Sequence, residues 1–117
     1  MLKQEAAEQA ALVQWVRLAY PKIMIVASAN GGSRNMLEAK NLKRTGVTAG
    51  WPDLFIACAR GKYHGMFIEM KSKKGRLTKL QKDCLEYLNE QNYYAVVCYG
   101  FEPAKEMIRH YLHYNAN

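Results

Sequence analysis

Gly50-Trp51-Pro52-Asp53-Leu54-Phe55-Ile56 and Met66-Phe67-Ile68-Glu69-Met70-Lys71 flank a polar turn at Arg60-Gly61-Lys62. Two β-rich apolar runs around a glycine turn predict a β-hairpin. A turn centred on Gly61 sets Asp53 opposite Glu69, with Cβ atoms about 5 Å apart when the pair is in register. Carboxylates that close repel unless a cation lies between them or one of them keeps a proton. Lys71 stands two residues beyond Glu69, so strand alternation puts both on one face and Met66, Ile68 and Met70 on the other. Two hard oxygen ligands and an amine thus gather in one small area, a catalytic arrangement more readily than a structural one. The structural alternative is a hairpin salt bridge between Asp53 and Lys71 on a solvated face.

On either side of the hairpin the periodicity is equally informative. Residues 3–20 predict a helix with Leu12, Val13, Trp15, Val16 and Ala19 apolar and Pro21 just past its end. Residues 23–29 predict a strand, followed by a turn at Asn30-Gly31-Gly32-Ser33. Residues 35–44 predict a short polar helix ending at Thr45-Gly46. The hairpin strands are read as 53–59 and 63–71. Residues 72–77 form a basic loop, 78–91 a second long helix and 93–99 another strand. Pro103 lies in the first turn of a last helix reaching about residue 114, with Ala104, Met107, Ile108, Tyr111 and Leu112 as its apolar set. The order α-β-α-β-β-α-β-α predicts an α/β fold, a central mixed β-sheet flanked by helices. At 117 residues the chain predicts one domain over 1–117.

Composition narrows the partners. No apolar run approaches the roughly 20 residues of a membrane span, and the acid-bearing N-terminus resembles no targeting peptide. Cys58, Cys84 and Cys98 are odd in number and widely spaced, matching neither a zinc pattern nor a disulfide framework. They read as small buried apolar residues in a reducing cytoplasm. The net charge of +7 is uneven: residues 60–82 carry eight Lys or Arg against the single acid Glu69, whereas residues 83–117 carry five acids and two bases. A basic surface around an acidic pocket suits a polyanion whose phosphate must approach a metal. A merely solvated lysine loop is the alternative on charge alone.

Gly50-x-Pro52-Asp53, fifteen intervening residues and then Glu69-x-Lys71 resembles the PD-(D/E)xK nuclease superfamily, and more narrowly a stand-alone VRR-NUC domain. The resemblance runs almost end to end. It takes in the early acidic helix, the Asn30-Gly31-Gly32-Ser33-Arg34 turn, the Gly-x-Pro-Asp strand entry, the Glu-x-Lys strand and Gln81 in the following helix. The tripeptides are weak alone; their order, strand context and the later Leu77-x-x-x-Gln81-Lys82 make the signal specific. It implies a restriction-endonuclease-like core and a Mg²⁺- or Mn²⁺-dependent phosphodiesterase. The stand-alone viral and bacterial forms are similar to structure-specific DNA endonucleases, including Holliday junction resolvases. Branched DNA, a role in repair or recombination and a homodimer or higher homo-oligomer are expectations of that function, because junction resolution takes two coordinated cuts.

Residue chemistry supports part of this independently. Asp53 and Glu69 suit an octahedral divalent ion that keeps several waters, and the Met70 backbone carbonyl is a further possible ligand. Lys71 is placed to orient or deprotonate an attacking water. The resemblance puts a metal-contacting acid on the first helix; Glu8 is read as nearer the apolar stripe of Leu12, Val16 and Ala19, with Glu5 the alternative and the helix dipole a structural reason for either. Gln81 is either a group beside the metal or phosphate, or the glutamine of a Thr78-x-x-Gln81 capping box. Asn30, Ser33 and Arg34 stand on a turn suited to a nucleic-acid backbone, unless its glycines serve the turn alone. Lys73, Lys74 and Arg76 are candidate phosphate contacts. His64, His110 and His113 have no partner at ligand spacing. Trp15 reads as core, while Trp51 reads equally as core or as a stacking surface. The competing function is a non-catalytic basic binding module, against which the facing acids count because they repel phosphate.

Overall fold

The computed structural model describes residues 3–28 and 36–114. Its elements follow the expected order: α1 (Lys3–Ala19), β1 (Ile25–Ala27), α2 (Met36–Arg44), β2 (Leu54–Ile56), β3 (Met66–Lys71), α3 (Lys79–Glu90), β4 (Tyr94–Tyr99) and α4 (Phe101–Leu112). The four strands form one sheet in the order β1-β2-β3-β4. β1 and β3 each pair antiparallel with β2, and β4 runs parallel to β3. A parallel neighbour needs a crossover, which α3 supplies.

The hairpin has the expected register: Leu54 pairs with Ile68, Phe55 with Phe67 and Ile56 with Met66. Gly61 turns the chain with φ +55°, and Arg60 bridges Tyr63 beside it. β2 is shorter than the run of β-formers suggested, since pairing with β3 ends at Ile56 and the next amide, Ala57 N–H, donates to Met24 instead. β1 is likewise cut to three residues.

Two apolar layers sandwich the sheet. On one face Leu12 and Val16 of α1, Ala104, Ile108, Tyr111 and Leu112 of α4, and Met66, Ile68 and Met70 of β3 form the main cluster. On the other, Leu85 and Leu88 of α3 cover Phe67 and Ala95. β3 is central and every residue from Met66 to Met70 is buried, as a strand covered on both faces must be. Glu69 is thus carried into the interior by a strand that apolar neighbours fix. Trp15 packs against the main cluster while only half-buried, and Cys58 and Cys84 are half-buried too; of the cysteines only Cys98 is fully inside, and all three are free.

Candidate active site

At the open end of the hairpin Asp53 is held from two sides. Its backbone carbonyl accepts from the Ser28 N–H at 2.8 Å, and its carboxyl Oδ2 accepts from the Met70 N–H at 2.7 Å. The second bond turns the side chain toward β3, where it hydrogen-bonds the Glu69 carboxyl. Within a strand the N–H and C=O of one residue point to the same side, so the Met70 carbonyl also faces the Asp53 edge.

Glu69 is only 4% exposed. Burial, then the charge of Asp53 and the hydrogen bond with it, push its carboxyl up to about 8; Lys71 pulls the other way and Glu5 adds a little repulsion. Lys71 Nζ lies 3.9 Å from Glu69 Oε2, a loose pair, with the lysine side chain 13% exposed. The loose spacing leaves the amine free to meet a third partner. Cys84 lies near enough for the Glu69 charge, after burial, to raise its thiol. The Glu69 carboxyl therefore keeps its proton near neutral pH or awaits a cation, the condition the facing register predicted.

A cavity of about 410 Å³ opens above the pair, and Asp53, Glu69, Lys71 and Gln81 all line it. Gln81 does complete a capping box: its Oε1 accepts from the Thr78 N–H at 2.9 Å while the Thr78 hydroxyl accepts from the Gln81 N–H. The cap occupies the amide oxygen and leaves the NH₂ as a donor on the pocket wall. Lys73, Lys74 and Arg76 sit exposed on the loop joining β3 to α3, outside the cavity but between two elements that line it. Asn30, Ser33 and Arg34 lie outside the described residues.

The first helix departs from expectation. The acid it turns into the cavity is Glu5, buried at 8% exposure, not Glu8. At about 100° per residue Glu5 falls within roughly 20° of both Leu12 and Val16, whereas Glu8 is displaced by roughly 40° and 80°. Ala19, which is exposed in the fold, draws the expected stripe toward Glu8 and does not belong to it. Glu8 instead lies against Gly100, the N-cap of α4, where no side chain caps the helix and a carboxylate suits its dipole. Glu5→Gln is accordingly expected to slow any metal-dependent activity about 10- to 100-fold, as loss of a group supporting a metal does. Glu8→Gln should leave the rate within about threefold and cost about 0.3–1 kcal/mol of stability. Equal rates in the two variants would remove Glu5 from the site.

Three further features shape the site. α2 brings Ala39 and Lys43 to the cavity, one turn apart on one face, although the described α2 side chains are largely exposed and nothing but that spacing marks them. Trp51 lines the same cavity. Gly50 lets this wall close against α3, because a Cβ there would stand 2.7 Å from the Leu80 backbone.

Among the described residues no three His, Cys, Asp or Glu side chains form a ready metal cage. Two carboxyls and one main-chain carbonyl still fit Mg²⁺, which binds through one or two carboxylates and leaves its other positions to water and substrate phosphate. The raised Glu69 carboxyl, buried against Asp53, is the local sign that positive charge is wanted there.

The model of one family, the VRR-NUC domain, matches residues 2–102. A solved structure described as a VRR_NUC domain protein superposes with a TM-score of 0.81 at 31% identity, covering 99% of this chain and 93% of its own. No curated protein matches the chain.

Proposed function

The chain belongs to the VRR-NUC domain family, a nuclease-type DNA-processing family, and on that premise we propose that it is a Mg²⁺- or Mn²⁺-dependent endodeoxyribonuclease acting on branched DNA such as Holliday junctions. The observation that carries this reading is the buried Glu69 set against the half-buried Asp53 beside Lys71. A passive binder gains nothing from setting two acids together where phosphate must approach. A phosphodiesterase needs them.

Asp53, Glu69 and the Met70 carbonyl would hold the ion, with Glu5 behind them. When bound, a divalent cation polarises the scissile phosphate and neutralises charge developing in an in-line displacement. The remaining work falls to the chain's own groups. Lys71, half-buried and only loosely paired, orients the attacking water and takes or shares its proton. The Gln81 NH₂ and Lys43 offer donors to phosphate oxygens from the cavity walls. α2 and the Val47–Trp51 segment form part of the cavity wall around these groups.

A homodimer follows from the same proposal, since opposed strands of a junction must be cut together. Among the described residues no helix is long and apolar enough to cross a membrane; cytoplasmic action is part of the proposal. The test is incubation with four-way, flap, nicked and linear DNA in Mg²⁺ and in EDTA. Metal-dependent cleavage favouring branched forms is expected, and cleavage that persists in EDTA would overturn the metal assignment.

Affinity should come from the loop beyond β3. Neutralising Lys73, Lys74 and Arg76 together is expected to weaken binding across all sequences. The slope of log affinity against log salt should become shallower by about 0.9 for each phosphate the loop no longer neutralises. An unchanged slope would show that the loop does not touch DNA.

A further inference from the structure

Across the sheet, Val26, Phe55, Phe67 and Ala95 form one row of register partners. Their burial falls steadily along it: Ala95 is 5% and Phe67 6% exposed, Phe55 is intermediate and Val26 is 46% exposed. α3 covers the parallel end of the row and leaves the antiparallel end open. The result is a cleft of about 550 Å³ between α3 and β2, walled by Trp51, Phe55, His64, Phe67, Tyr87 and Tyr93. That is the size of an ordinary small-molecule site.

The cleft is aromatic rather than aliphatic, and its rings are connected. Trp51 meets Phe67 edge-on at 5.2 Å, Phe67 meets Tyr93 at 5.2 Å and Tyr93 meets His64 at 5.6 Å. Phe55 stacks on Phe67 at 4.4 Å. Gly65 keeps this stack tight, because a Cβ there would stand 2.6 Å from the Phe55 ring. Tyr87 projects from α3 with 56% of its surface exposed. Trp51 lines both this cleft and the acidic cavity, so the row of rings leads directly away from Asp53 and Glu69.

We propose that the cleft is a base-binding subsite, holding unpaired nucleotides of the DNA strand that adjoins the scissile phosphate. Flat rings with polar edges stack bases of any sequence, and bases already paired in a duplex cannot enter. A protein of net charge +7, with Lys62 two residues from His64, is suited to the phosphates such a strand carries. The subsite selects DNA with an unpaired or splayed strand beside the cut over fully paired duplex. Its direction rests on the nuclease reading of the adjoining cavity; base binding itself does not.

The test uses the full chain carrying Asp53→Asn, in EDTA, with duplexes bearing a single-stranded tail that contains 2-aminopurine, and with blunt duplexes bearing the same base internally. Quenching of the tail fluorophore and tighter binding of tailed DNA are expected. Tyr87→Ala, at an exposed position, should weaken tailed binding about five- to a hundredfold and leave blunt binding unchanged, as loss of one stacking partner does. Tyr87→Phe should restore it, and His64→Ala should reduce quenching independently. An unquenched tail, or equal losses for tailed and blunt DNA, overturns the subsite. So does a concentration-dependent dimer that shields the cleft and leaves the tail unquenched, which would assign this face to a second copy. Quenching by a wild-type chain that cleaves nothing would sink the nuclease reading and leave the subsite standing.

Discussion

Glu69→Gln is expected to abolish cleavage and, in the metal-free protein, to stabilise the fold at alkaline pH. The loss of rate should reach at least about 10²–10³-fold, the scale of removing one electrostatic stabiliser of a transition state. The stability effect follows from the buried carboxyl, raised to about 8 from an ordinary 4.5. Below about pH 4.5 the group is protonated in both folded and unfolded chains and contributes no pH dependence. Between 4.5 and 8 the unfolded chain releases the proton while the folded chain keeps it, so stability falls as pH rises, by up to about 1.4 kcal/mol per unit. Above about 8 the loss is complete. Glutamine has no such titration. Thermal melts in EDTA should therefore find the variant and wild type similar at about pH 4 and the variant more stable at about pH 9. Adding Mn²⁺ at the alkaline pH should reverse the order by stabilising only the wild type. A variant less stable than wild type under alkaline conditions without metal would mean that Glu69 is a structural ion-pair partner.

Gly50→Ala should be the most damaging substitution outside the acids. Gly50 has φ +85°, and an added Cβ would stand 2.7 Å from both the carbonyl carbon and oxygen of Leu80. The backbone strain alone costs about 1–3 kcal/mol, and the clash cannot be relieved by rotating a side chain. The Trp51-Pro52-Asp53 segment must move away from the first turn of α3, carrying Asp53 from Glu69 and Gln81. Displacement of about 1 Å is worth about 100-fold in rate. Gly46→Ala is the matched control, with φ +114° and nothing within 4 Å of its Cβ. It should lose stability through strain and keep its specific activity. If both variants cleave at the wild-type rate, close packing at Gly50 does not position the site.

The hairpin and its acids were legible because they depend on local rules. A glycine turn and period-two alternation fix the register, and a Thr-x-x-Gln box fixes the start of α3; each operates within a few residues. Glu5 was legible in principle, since the helical angle to Leu12 and Val16 selects it over Glu8. Lys43 and the aromatic cleft were not. α2 carries no strong apolar stripe to reveal which face it presents, and the exposure of Phe55 and Val26 depends on how far α3 reaches across the sheet. Strand pairing that joins β1 to the hairpin and β4 to its far side decides that reach, and no local pattern encodes it. Trp51 could be read equally as core or as platform because it packs on Phe67 while staying half-buried at the edge of more than one cavity.

The central claim is that Asp53 and Glu69 together form a metal-dependent phosphodiester-cleaving centre. The most direct measurement is the single-turnover cleavage rate of a four-way junction by wild type and Asp53→Asn, titrated with Mg²⁺ at saturating protein. Wild type should show a rate that saturates with Mg²⁺ and vanishes in EDTA, while Asp53→Asn binds the junction at least as tightly and does not cut it. Wild-type turnover in a purified Asp53→Asn chain would contradict the claim.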